Sequence, residues 1–147
     1  GIDNSFNGQL GDDKFVIRDG RLQALGGDDN DTIEVLGAKE GSQVNGNKGK
    51  DTITGSAAIT YRGGAGDDVI QVSQGEVWGD LGVDVFRGVT GEGYAVIQDY
   101  NIGEDIVELA MDGIWSKIES GLIFTDNLGD QIMLLVGINE VERITLA

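Results

Sequence analysis

The chain has 147 residues, with 26 acidic side chains against 10 basic ones and a formal net charge of −16. That sign excludes nucleic acid and an anionic membrane surface as electrostatic partners and favours cations. There are 25 glycines and no histidine, cysteine or proline, which excludes a disulfide framework, thiolate chemistry and imidazole-based general-base or zinc chemistry.

High acidity with much glycine can mark a disordered chain. Here 39% of residues are hydrophobic and they recur regularly, so an ordered domain is expected whose order is conditional. The longest strongly apolar run, Ile132 to Ile138, is too short to cross a bilayer, so no membrane insertion is expected. The chain opens at Gly1 with no methionine and no signal-peptide pattern, as a mature form or a piece of a longer protein would.

In chain order, five stretches align: GQLGDDKFV (Gly8 to Val16), GGDDNDTIE (Gly26 to Glu34), GNKGKDTIT (Gly46 to Thr54), GGAGDDVIQ (Gly63 to Gln71) and GDLGVDVFR (Gly79 to Arg87). Position one is always glycine. Position six is always aspartate: Asp13, Asp31, Asp51, Asp68 and Asp84. Position eight is always bulky and apolar: Phe15, Ile33, Ile53, Ile70 and Phe86. The starts are 18, 20, 17 and 16 residues apart, about twice nine. One such stretch would read as a turn. Five in register read as a repeat architecture.

The pattern resembles the glycine-rich nonapeptide, G-G-x-G-x-D-x-U-x, of the RTX (hemolysin-type calcium-binding) family. The resemblance is strong from Gly8 to Arg87 and weaker beyond. It implies an all-β fold, a parallel β-roll closed by a C-terminal antiparallel β cap, with each nonapeptide making a six-residue turn and a three-residue strand. Only every second nonapeptide carries the motif. The alternate segments (22–25, 42–45, 59–62 and 76–78) read as strands, and the turns before them lack the aspartate spacing. One motif-bearing edge and one plain edge are therefore expected. Phe15, Ile33, Ile53, Ile70 and Phe86 should stack on one sheet, and Ala24, Val44, Tyr61 and Val77 on the facing one.

The resemblance also implies a metal site made by the position-six carboxylates and by the backbone of positions one to four. These are Gly8 and Gly11; Gly26, Gly27 and Asp29; Gly46, Asn47 and Gly49; Gly63, Gly64, Ala65 and Gly66; and Gly79, Asp80 and Gly82. Stacked strands lie about 4.8 Å apart and Ca²⁺–O bonds are about 2.4 Å long, so an ion between two loops reaches oxygens of both. All-oxygen ligands favour Ca²⁺ over zinc or copper, and Mg²⁺ fits the gap poorly. Five loops leave four gaps, so three or four Ca²⁺ ions are expected. Lys48 and Lys50 lower the charge of the third loop. Asp29, where glycine is expected, is an extra ligand or a distorted loop. An EF-hand is excluded by its missing spacing.

From Gly91 the repeat is expected to stop, giving a roll over residues 1–90 and a β-rich cap over 91–147. Residues Tyr94 to Ala110 resemble the string that closes the roll in many RTX proteins; Asp99 and Asp105 there hold a further ion or belong to an acidic hairpin turn. Leu122 to Thr125 and Gln131 to Val136 read as an antiparallel hairpin. Trp115 and Ile118 are expected on the roll's end. The acidic-then-apolar tail, Glu140 to Ala147, loosely fits the uncleaved type I secretion signal of the family. No nucleophile–histidine pair is possible and no isolated carboxylate pair stands out, so no enzyme is expected. The functional expectation is a calcium-binding module of a secreted, extracellular or cell-surface protein that folds on meeting Ca²⁺. The alternatives are a self-assembling module of a surface layer, filament or adhesin, or an accessory module beside other domains of a secreted hydrolase or epimerase.

Overall fold

The structure, a computed structural model, describes residues 4–147; Gly1, where the expected roll begins, lies outside the described residues. Alternation of inward apolar and outward polar residues, with glycine-rich turns every few positions, cuts the first two thirds into short strands. These are β1 (Asn4–Asn7), β2 (Lys14–Ile17), β3 (Leu22–Gly27), β4 (Thr32–Val35), β5 (Gln43–Lys48), β6 (Thr52–Gly55), β7 (Thr60–Ala65), β8 (Val69–Val72), β9 (Gly75–Leu81), β10 (Val85–Arg87), β11 (Ala95–Ile97) and β12 (Ile106–Glu108). Odd strands build one parallel sheet and even strands the other, so the chain winds as a parallel β-roll of about six coils.

The apolar columns stack as the repeat requires. Phe15, Ile33, Ile53, Ile70, Phe86 and Val107 are successive partners in the even sheet. Phe6, Ala24, Val44, Tyr61, Val77 and Ile97 are successive partners in the odd sheet. The two columns face each other and form the core, in which Tyr61 and Phe86 are the largest fully buried side chains. Each coil covers only its neighbours, so stability accrues along the stack.

Two features differ from the sequence expectation. The odd strands run on into the motif: β5, β7 and β9 end at position three, so the turn proper spans positions four to six. The backbone at position two still pairs across coils, as in Asn47 with Gly64 and Gly64 with Asp80, which keeps it in the sheet. The roll also does not stop at Gly91. β11 pairs parallel with β9 at an offset of 20 residues, and β12 pairs parallel with β10 at an offset of 21. A sixth coil therefore exists whose loop is one residue longer than the fifth, and that insertion hid it from the nine-residue pattern.

The cap follows as β13 (Gly113–Ile118), β14 (Gly121–Asp126) and β15 (Gln131–Val136). The expected hairpin is β14–β15, antiparallel, with β13 antiparallel outside it. Asp126 Oδ1 closes its turn by accepting the amides of Leu128 and Asp130, both at 2.9 Å. The cap joins the roll edge-on, because β15 pairs parallel with β11. A short 3-10 helix (Val141–Arg143) then turns the tail onto the other sheet. There the Val107 amide donates to the Thr145 carbonyl at 2.8 Å and the Ala147 amide to the Val107 carbonyl at 3.0 Å. Trp115 packs on Phe124 of the cap's own sheet, ring centroids 5.2 Å apart, and Ile118 is exposed rather than seated on the roll's end. Among the described residues no helix is long and apolar enough to cross a membrane.

Candidate functional site: a column of buried aspartates

Position six is the last turn residue before each even strand, so its side chain lies beneath the turn instead of in solvent. Asp31, Asp51, Asp68, Asp84 and Asp105 are each at most 2% exposed. Their Oδ1 atoms accept the backbone amide of the position-six residue one coil earlier. The Asp13, Asp31 and Asp51 amides donate to the next aspartate at 2.8 Å, and the Asp68 and Asp84 amides at 3.0 Å. Six aspartates from six coils thus form one column along the motif edge.

The second oxygen decides the chemistry of the column. Oδ2 of Asp13, Asp31, Asp51, Asp68 and Asp84 is buried and has no hydrogen-bond partner. Buried carboxylate oxygens without donors are costly, and most buried polar atoms in proteins are paired. Each of these oxygens leans over the α-carbon of the position-one glycine of its own loop. A Cβ at Gly8, Gly26, Gly46, Gly63 or Gly79 would collide with it. At Gly26, Gly46 and Gly63 the same Cβ would also lie 2.6, 2.7 and 2.8 Å from the position-one carbonyl of the next coil. The invariant glycine therefore keeps open a space shared by a carboxylate oxygen and a carbonyl oxygen from adjacent coils.

Positions two and four shape the turn. Both have positive φ in every copy, from 67° at Asp80 to 131° at Gly66. Asp29 holds φ 77° at position four, so its loop is not distorted, and its Oδ2 accepts the Gly11 amide at 3.0 Å. Position-three carbonyls are engaged: Ala65 accepts the Gly49 amide at 2.9 Å. Asp80, at position two, pairs its carboxylate with Arg62, 2.9 Å away, and takes no part in the column. Asp99 accepts the Gly79 and Asp80 amides at 2.8 Å each, closing the end of β9. Asp105 is the sixth rung, and its Oδ2 is satisfied by the Asn101 amide at 2.7 Å.

Other participants were not read from the sequence. Position five builds an outer ladder of opposite sense: Asp12 Oδ1 accepts the Asn30 amide, Asn30 Oδ1 the Lys50 amide and Asp67 Oδ1 the Val83 amide. Its signal was the Asp, Asn and Asp at that position, interrupted by Lys50. Lys50 lies 3.6 Å from Asp67 and Lys48 lies 4.0 Å from Asp28, on the exposed surface and away from the column. Tyr100 belongs to the closing string legible in the sequence, but its contact with the tail was not. Its hydroxyl donates to the Asp105 carbonyl at 2.9 Å and accepts the Thr145 amide at 2.9 Å, tying the last rung to the tail.

Stacked carboxylates this well buried resist ionisation. Burial, opposed by the amide donor and reinforced by neighbouring aspartates, pushes Asp51 up to about 6, Asp68 to about 7 and Asp84 to about 8. Asp31 and Asp105 rise for the same leading reason. Among the described residues no three carboxylates gather into one cluster. The column offers one carboxylate per coil, so any cation bound there draws on main-chain carbonyls as well. Such a donor set is all oxygen and suits a hard cation.

Compared with family models, curated proteins and solved structures, the chain matches none.

Proposed function

We propose that the chain is a calcium-binding β-roll module of a secreted protein, an RTX-type module that folds when Ca²⁺ binds along its motif edge outside the cell. The observation that carries this reading is the set of five buried Oδ2 atoms without partners, each beside a carbonyl of the adjacent coil or a glycine that keeps such space open. A buried anionic column needs a counter-charge, and oxygen donors from two coils at the first four steps suit Ca²⁺. The residues that would hold it are Asp13, Asp31, Asp51, Asp68 and Asp84, with carbonyls of the position-one glycines. The sixth rung, Asp105, has both oxygens bonded and serves as the column's end. Calcium bound there supplies positive charge to the column and no redox or acid–base chemistry.

Binding and folding are then linked. Net charge of −16 opposes compaction, and an ion that binds only the folded stack adds its binding free energy to folding. A chain kept unfolded where calcium is scarce can pass a narrow export channel and fold beyond it. Type I export by the tail fits this order of events, because the folded tail is tied to β12 and is free only before folding. We assign the chain no catalytic role. The test is far-UV circular dichroism at pH 7.5, in calcium-stripped buffer and with millimolar Ca²⁺ or Mg²⁺. Calcium should convert a largely unfolded spectrum to β, with Mg²⁺ doing much less. Equal β content in all three conditions would overturn the reading.

A further inference from the structure

Two of the five position-one glycines follow an asparagine, as Asn7–Gly8 and Asn45–Gly46. Asparagine before glycine cyclises readily, because a glycine has no side chain to hinder its amide from approaching the neighbouring carboxamide. The deprotonated glycine nitrogen attacks the asparagine Cγ. The new N–Cγ bond forms as the Cγ–Nδ2 bond breaks, and Nδ2 takes up protons from water and leaves as ammonia. Water then opens the resulting succinimide at either carbonyl, giving aspartate or isoaspartate. Solvent water is the only co-reactant.

In the folded roll this attack is barred at Asn45. The residue lies inside β5, paired with Leu25 of β3 on one side and with Arg62 of β7 on the other. Val44 faces the core, so Asn45 turns its side chain to the outer face, while the Gly46 main chain lies in the plane of the sheet. The Asn47 amide donates to Asn45 Oδ1 at 2.9 Å and holds the side chain there. At the equivalent position after β1 the Gly8 amide donates to the Leu25 carbonyl at 3.0 Å, so the attacking nitrogen of such a pair faces the neighbouring strand and not its own asparagine.

The place of the reaction decides its consequence. Isoaspartate routes the main chain through its side-chain carbon and adds one carbon between residue 45 and Gly46. The pairing of Asn45 with Arg62 and that of Asn47 with Gly64 cannot then both hold. Gly46 also shifts from the space it keeps open between Asp51 Oδ2 and the Gly63 carbonyl.

We infer that Asn45–Gly46 is a self-modification site, open while the chain is unfolded and shut by folding, which limits how long an unfolded chain stays able to form its third coil. The inference stands on the fold and not on the calcium reading. Its test therefore unfolds the chain with urea and folds it under whatever conditions give full β content by circular dichroism.

The full chain is held at pH 7.5 and 37 °C in urea and, in parallel, folded; peptides are then mapped by mass spectrometry for conversion of amide to acid and for isoaspartate. In urea Asn45 and Asn7 should convert at similar rates, since the chemistry is local. In the folded chain conversion at Asn45 should be slower by roughly a hundredfold or more, because the site opens only as often as its coil does. After incubation in urea, Asn7→Gln chains should lose refolding in proportion to isoaspartate at residue 45. The Asn7→Gln, Asn45→Gln double variant, whose longer side chain cyclises slowly, should refold as fresh protein does. Equal conversion of Asn45 in folded and unfolded chains, an Asn45 inert in urea while Asn7 converts, or full refolding of chains carrying isoaspartate at residue 45 would each overturn the inference. The mapping of the natural chain decides the first two even where a variant fails to fold.

Discussion

The two edges of the roll are made by the same chain in alternate turns, yet they satisfy their polar groups differently. On the plain edge, coils join by main-chain bonds, as in Leu36 to Ile17 at 2.8 Å and Ser56 to Val35 at 3.1 Å. Buried hydroxyls there are neutral and paired. Ser42 accepts the Leu22 amide at 3.0 Å and donates to the Lys39 carbonyl at 2.7 Å, and Tyr61 donates to the Ala57 carbonyl at 2.8 Å. On the motif edge the coils join through carboxylates, and each of five coils leaves one buried oxygen without a donor. The plain edge, where Arg21 Nε is the one buried side-chain nitrogen without a partner among the described residues, can vary its residues so long as its main-chain hydrogen bonds close. A charged edge must repeat, because each of the five rungs with an unpartnered oxygen has the same need for a proton or a cation.

The largest effect expected from this contrast is on pH dependence without calcium. An aspartate whose folded pKa is raised stabilises the fold fully below its unfolded value near 3.8, and that contribution is lost as pH climbs through the folded value. With Asp51 near 6, Asp68 near 7 and Asp84 near 8, thermal unfolding in calcium-stripped buffer should show stability falling steadily from pH 4 to pH 8. Millimolar calcium should flatten the profile. A flat profile without calcium would mean that the column carries no buried charge.

Next in size is Asp68→Ala, which removes one rung and leaves the Asp51 amide without its acceptor. In calcium the loss should be about 3 kcal/mol, as for breaking a buried charged pair, and calorimetric titration should show weaker binding on both sides of the fourth coil. Asp19→Ala on the plain edge, where Asp19 is exposed, should leave the stoichiometry unchanged. The reverse order would place the metal on the wrong edge.

Gly46→Ala sharpens the comparison, because it adds one methyl group where Asp51 Oδ2 and the Gly63 carbonyl meet. Overpacking should cost about 2 kcal/mol in denaturant unfolding and lower calcium affinity as well. Ser42→Ala has the smallest effect expected, about 1 kcal/mol from the unpaired Leu22 amide. It should change stability without changing calcium stoichiometry, and a change in stoichiometry would show that the two edges are not independent.

The repeat was legible because its constraints are local. Glycine at position one, aspartate at position six and an apolar residue at position eight each answer to the coil directly above or below, so they recur with the period of the winding. From those columns the sequence determined the all-β class, the parallel roll, the single motif edge and the stacking of Ile33 on Ile53 and of Val44 on Tyr61. Tertiary structure alone decided how each carboxylate divides its two oxygens, since Oδ1 meets an amide 16 to 21 residues away while Oδ2 is buried against glycine. It also decided where the roll ends, because one extra residue in the sixth loop breaks the period without breaking the register. The closure was equally invisible: β11 meets β15 and Tyr100 meets Thr145 across some 40 residues. Such pairings occur once and repeat nowhere, so no period marks them, and only the need to cover the last coil's edges and apolar core selects them.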